Sequence, residues 1–360
     1  MKTVLIVTNR TLHNAPRVIR TIDALQDRFE IYTVGLTPPQ QKVKAHFSRS
    51  VVRESVTNRV IRKFNRSVLK RYIPWTYTEP VKLRKIRLLV SRLKPDLVIC
   101  HECEDLPYLA SLKSSFSYKL VFNAHEYYPL EHNEIAHWEN TWQLYFEDLY
   151  RRFLPAVDLM INVCESIREK CLIEFGKDSL VIPNASAFQD LQPGQVKSPI
   201  RLIHHGGAIA SRKIEEMIRM MPLLGPEYFL TLMLIPTNPD YFARLKKMVS
   251  DTGNVQLIEA VPFSEIVGQL NQYDIGVYLL PPDSFNNSIA LPNKFYEYSQ
   301  ARLCLSIGPS VEMQRMCMDY QLGVVASDFT ATALANSIRS LRREDIEHFK
   351  QNANRTASIL

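Results

Sequence analysis

Short apolar runs alternate with longer amphipathic stretches along nearly the whole chain. "TVLIVT", "FEIYTVGL", "PDLVIC", "YKLVFN", "VDLMINV" and "SLVIP" are rich in Val, Ile, Leu, Phe and Tyr and read as short buried strands. Helix-length patterns lie between several of them, at residues 15–28, 82–93 and 166–175. The pattern lapses at "PNASAFQDLQPGQVKSP", residues 183–199, where Pro, Gly, Gln and Ser accumulate. It resumes with "RLIHHGG", "YFLTLMLIP", "VQLIEA", "DIGVYLL", "LCLSIG" and "GVVAS". Strand–helix alternation of this kind predicts parallel sheets covered by helices on both faces. The expected class is α/β, with two doubly wound, Rossmann-like domains over residues 1–185 and 186–360, facing a cleft.

Composition agrees with that division. A chain of 360 residues exceeds one typical core and suits two domains of roughly 150 to 200 residues. With 46% hydrophobic and 22% charged residues it is ordinary for a globular protein. The apolar run Val4–Val7 stops at Thr8, Asn9 and Arg10, so it reads as a first strand and not a signal peptide. No window approaches the roughly 18 apolar residues of a membrane span. The expected location is the cytoplasm, peripheral on the inner face of the cell membrane. Six scattered cysteines do not make a disulfide framework. Cys100 and Cys103 form a C-x-x-C, but no second ligand pair or helix-opening redox turn accompanies it.

Charge is uneven. Arg59, Arg62, Lys63, Arg66, Lys70, Arg71, Lys82, Arg84, Lys85, Arg87, Arg92 and Lys94 face a single acid, Glu79, in a chain whose net charge is +7. Phe64, Tyr72, Ile73, Trp75 and Tyr77 are interleaved with them. Cations with interfacial aromatics suit an anionic membrane surface, so residues 59–94 are a candidate membrane patch; a solvated helical face is the plain alternative. Nothing resembles a nucleic-acid module, and no nucleic-acid partner is expected.

Ligands of doubly wound sheets bind at the carboxyl ends of strands, so chemistry is sought there. "RLIHHGGAIASRKIEEMI" ends a strand at Gly206 and Gly207 and is expected to open a helix near Ser211 with Arg212 and Lys213 in its first turn. Glycines let a ligand approach the backbone, and cations at the positive end of a helix want an anion such as phosphate. "ALPNKFYEYSQA" predicts a helix with Pro292 at its first position, Asn293 and Lys294 at its N-terminus and Glu297 one turn on. That order suits a diphosphate at the helix start and a ribose diol at the acid; a Glu merely favoured in a first turn, with Tyr296 and Tyr298 as packing, is the alternative. In the first half, His125 and Glu126 follow "KLVF", His101 and Glu102 end the preceding strand, and Asn14 and Arg17 follow the first. His125 is a proton handler, a partner of sugar hydroxyls or a structural histidine. So many polar strand ends favour a polyhydroxylated ligand. Metal-ligand spacing is missing from His101, Glu102, His125 and Glu126, so no metal is expected.

"APRVIRTIDAL", "NAHEYYPLE", "DLMINVCESIREKCLIEFG", "HHGGAIASRKIEEMI" and "LPNKFYEYSQARLCLSIG" together resemble the GT-B fold glycosyltransferases, and most of all the retaining family 4, also called group 1. The resemblance runs from Met1 to about residue 345. It implies a C-terminal domain for a nucleotide-sugar (UDP- or GDP-sugar) co-substrate, and an N-terminal domain for a glycan or lipid-linked acceptor in bacterial-type surface polysaccharide synthesis. No other cofactor and no metal are implied. Glu297 matches the second acid of the E-x7-E motif and would hold the ribose, Arg212 stands at the phosphate-binding lysine, and His125 matches the histidine near the transferred sugar. The implied catalytic set is His125, Arg212 and Lys294. Donor binding falls to Gly206, Gly207, Arg212, Asn293, Lys294 and Glu297, and acceptor binding to Asn14, Arg17, His101 and Glu126. Two positions depart from the family: Ile289 stands at the first acid and Gly207 at the usual arginine. Lys294 is expected to replace the lost charge, and Asn286, Asn287 or Ser288 part of the sugar contact. The chain ends at "FKQNANRTASIL", before the helix with which related proteins cross back to the first domain, which implies a shortened or divergent tail. A nucleotide-sugar epimerase of the same fold and a catalytically weak partner of another transferase are the rival functions.

Overall fold

A computed structural model describes residues 1–49 and 80–360. Its contacts divide the chain into two units, Met1–Pro183 and Asn184–Leu360. The first holds a seven-stranded sheet in the order β3-β2-β1-β4-β5-β6-β7. Its strands are β1 (Lys2–Val7), β2 (Phe29–Gly35), β3 (Ala45–Ser48), β4 (Leu97–Cys100), β5 (Lys119–Asn123), β6 (Leu159–Asn162) and β7 (Leu180–Val181). The second holds six in the order β10-β9-β8-β11-β12-β13: β8 (Ile200–Gly207), β9 (Tyr228–Ile235), β10 (Val255–Glu259), β11 (Ile275–Tyr278), β12 (Cys304–Ile307) and β13 (Gly323–Val325). Every pairing between these strands is parallel. Each sheet therefore reverses its winding once, between β1 and β4 in the first unit and between β8 and β11 in the second. A crevice opens outside the carboxyl ends of the strands at such a reversal.

The local reasons are legible. Helix Pro16–Leu25 starts with proline, whose fixed φ and missing N–H suit a first turn. It buries Val18 and Ile22, one turn apart, against Val4, Ile6 and Ile31 of β1 and β2. Truncating a fully buried Ile22 to alanine would cost about 2–5 kcal/mol. In the second unit, helix Asn293–Gln300 lies close on β11 because Gly276 has no side chain: a Cβ there would stand 2.6 Å from the Tyr298 ring. Tyr298 donates its hydroxyl to the Val277 carbonyl at 3.2 Å, which fixes the helix against the strand. That close seat positions the two charged side chains of the helix.

Candidate active site

At the reversal of the second sheet, β8 ends in Gly206 and Gly207. Gly206 has φ +114°, a conformation that side-chain-bearing residues rarely adopt, and a Cβ built there would meet Lys294 Nζ at 2.8 Å and Arg212 NH1 at 3.5 Å. Both cations thus come to the same backbone turn. Arg212 donates from NH1 to the Gly207 carbonyl at 3.0 Å. Lys294 is buried, with Nζ 5.2 Å from the centre of the Tyr278 ring at the end of β11. Burial and then the neighbouring Arg212 bring the Lys294 pKa down to about 7, against the pull of Glu297.

Glu297, only 4% exposed, lies one turn along the same helix. Its Oε2 is 3.2 Å from His205 Nε2, although the ring nitrogen is not aligned for a hydrogen bond. His205 is packed edge-on against Tyr298. Burial lowers its pKa despite the carboxylate, which keeps the imidazole neutral. Two cations at one glycine turn, beside the start of helix Asn293–Gln300, make an arrangement that suits an anion.

Two local expectations are corrected. Arg212 and Lys213 do not occupy a helical first turn. Ala210–Arg212 forms one 3-10 turn, Lys213 is left-handed at φ +48°, and the helix begins at Ile214 with Glu215 and Glu216 in its first turn. Acids hold the positive helix end, and Arg212 is released toward the glycines. Pro292 is the extended residue before helix Asn293–Gln300, so Asn293 takes the first helical position. Asn286, Asn287 and Ser288 belong to the single turn Phe285–Ser288, capped by Ser284. Ile289 is 6% exposed and contributes packing, not polarity.

In the first unit the reversal between β1 and β4 gathers Thr8, Arg10, His101 and Glu102. Glu102 accepts from Thr8 Oγ1 at 3.2 Å and Arg10 Nε at 3.1 Å, and burial raises its pKa to about 7 against the arginine. His125, half-buried just past β5, has Nε2 3.0 Å from Nδ1 of His101. His101 itself, expected to bind acceptor, is fully buried and turned to His125, with no exposed surface to offer a ligand. Arg17, expected to bind acceptor, is 7% exposed and donates to Asn123 Oδ1 at 2.7 Å and to the Ile182 carbonyl at 2.9 Å. It ties helix Pro16–Leu25 to β5 and to the end of β7, and burial brings its pKa down to about 10. Glu126 is exposed beside His125. Asn14 closes the 3-10 turn Leu12–Asn14.

Sequence reasoning assigned no role to His205 or Tyr278. The doublet His204–His205 directly before two glycines was the available signal, but only the β8–β11 neighbourhood shows that Tyr278 underlies Lys294. The part of the basic patch at residues 59–79 lies outside the described residues. The remainder forms helix Pro80–Leu93. No helix among the described residues is long and apolar enough to cross a membrane.

Comparison with known proteins completes the picture. Residues 17–185 match the family described as Glycosyltransferase Family 4. A glycosyltransferase from Rickettsia africae is similar in structure over 99% of this chain and 93% of its own, with TM-score 0.71 and 12% identity. Sucrose-phosphate synthase from Thermosynechococcus elongatus covers 100% and 95%, with TM-score 0.69 and 13% identity. HepE of Anabaena, solved with UDP-glucose, covers 99% and 95%, with TM-score 0.68 and 12% identity. The chain has the GT-B glycosyltransferase fold. No curated protein sequence matches it significantly. The family match spans most of the first unit, and the fold likeness extends over both.

Proposed function

We propose that this GT-B protein transfers a sugar from a nucleotide-sugar, a UDP- or GDP-sugar, to a glycan or lipid-linked acceptor in surface polysaccharide synthesis, with retention of anomeric configuration. The observation that carries the reading is the meeting of Arg212 and Lys294 at the Gly206–Gly207 turn, with Glu297 one helical turn away. A nucleoside diphosphate gains negative charge as the glycosidic bond breaks. Preorganised cations and N–H groups at that point stabilise the transition state more than the ground state. Glu297, oriented beside neutral His205, suits the ribose diol. HepE, which shares the fold, was solved with UDP-glucose, and this favours the uridine donor as the first to test.

Arg212 and Lys294 are proposed to do the electrostatic work without a metal. Helix Pro80–Leu93 supports a lipid-linked acceptor, because it carries five cations and no acid. Incubating the chain with UDP-glucose and GDP-mannose, a lipid-extract acceptor and EDTA tests the reading. Transfer that survives chelation, with α-product from α-donor by one-bond carbon–proton coupling at C1, is expected. Isomerised nucleotide-sugar without transfer would instead make the chain an epimerase.

A further inference from the structure

We propose that His101 is a positioning residue that fixes His125 as the tautomer protonated on Nδ1, so that His125 meets its ligand as a hydrogen-bond donor and not as a base. The proposal deepens the reading of the first unit as the sugar-accepting side, on which it rests.

The sheet register makes the contact. β4 and β5 run side by side with Cys100 opposite Phe122, so His101, the first residue past β4, reaches the segment Asn123–His125. The rings meet edge to face, 5.3 Å between centres at 80°, with His101 Nδ1 and His125 Nε2 3.0 Å apart. A hydrogen bond between two ring nitrogens needs one proton, and two placements are available. If His125 Nε2–H donates, His101 must carry its own proton on Nε2. If His101 Nδ1–H donates, His101 Nε2 keeps a bare lone pair and His125 carries its proton on Nδ1.

Burial decides between them. His101 is 0% exposed, and its Nε2 has no hydrogen-bond partner among the described residues. An orphaned buried N–H is the rarer and costlier defect; an under-used acceptor is better tolerated. The proton therefore sits on His101 Nδ1, pointing at His125. Double protonation of the pair is not available as an escape. Burial and then Arg17 hold His101 down to about 3, and burial, His101, Arg17 and Arg10 hold His125 well below its ordinary value. His125 Nδ1–H is left for an oxygen acceptor, such as a hydroxyl or a phosphate oxygen.

The test is the tautomer itself, read from long-range proton–nitrogen correlations of the full chain labelled with 15N-histidine near neutral pH. His125 is assigned by the signals that disappear in His125→Gln. The expected spectrum of the native chain shows His125 protonated on Nδ1 with Nε2 bare. His125 protonated on Nε2 would overturn the proposal, whatever the variants do. His101→Phe should release His125 from the Nδ1–H form and lower turnover by up to about a hundredfold with donor KM unchanged. His101→Gln, whose amide can donate to the same nitrogen, should restore both tautomer and most turnover. An unchanged His125 tautomer in His101→Phe would contradict the positioning role. Failure of the underlying reading looks different: His125→Ala would retain full turnover while the native tautomer stayed as described.

Discussion

Lys294 holds its ammonium over the Tyr278 ring beside Arg212, and burial with that neighbour brings its pKa to about 7. A bound diphosphate favours the charged form and raises that pKa. Between about 7 and the pKa of the complex, binding then takes up a proton, so affinity falls as pH rises through that window. A nucleotide-sugar is the suitable probe because its diphosphate diester does not titrate there. Calorimetry of UDP-glucose at pH 8 in buffers of differing ionisation enthalpy should show uptake of up to about one proton per site, and none in Lys294→Met. Equal proton uptake in the two proteins would remove Lys294 from the phosphate site. Gly206 belongs to the same arrangement, since a methyl group there would collide with the lysine head in a backbone conformation that already disfavours it.

The element that carries Lys294 and Glu297 depends on one close contact, between Gly276 of β11 and Tyr298. Gly276→Ala should push helix Asn293–Gln300 off the strand, destabilise the second unit by about 1–3 kcal/mol and weaken nucleotide binding together with it. Thermal denaturation with and without UDP measures both, and loss of stability with full retention of the ligand-induced shift would separate the helix from the site. In the first unit, helix Pro80–Leu93 is anchored by Lys82, which pairs with buried Asp105 at 2.8 Å and lies over Tyr108. Val81, Arg84, Lys85, Arg87, Leu88 and Arg92 remain exposed. Flotation with anionic liposomes should be reduced by Arg84→Glu combined with Lys85→Glu, at roughly 1 kcal/mol per removed cation; flotation that ignores lipid charge would exclude the electrostatic role of this helix, and no flotation would exclude the membrane role. The strands were legible because buried parallel strands are unbroken apolar runs. β3 was not, because "AHFS" is a four-residue edge strand with no fully buried position. The false start near Ser211 has a similar origin: a 3-10 turn and a left-handed Lys213 leave no mark on hydrophobic spacing.

Across the whole molecule, two parallel sheets each reverse once, and each reversal gathers polar side chains from segments distant in sequence. This convergence explains which site residues could be read from the chain and which could not. Arg212, Lys294 and Glu297 stood in short local patterns that point to phosphate and ribose. Arg17 and His101 also stood at strand ends, yet the fold turns them inward, to Asn123 and to His125. Periodicity locates a strand end but does not say which neighbouring strand will cover its side chains. The proposed function stands on the second unit, where Arg212 and Lys294 at the Gly206–Gly207 turn are to hold a nucleoside diphosphate. Titrating UDP and GDP into the native chain, Arg212→Ala and Lys294→Ala by calorimetry tests it most directly. Saturable one-to-one binding to the native chain is expected, with at least about tenfold weaker binding in each variant, as the loss of a charge-assisted contact demands. Native-like affinity in both variants, or no binding of either nucleotide to the native chain, would contradict it.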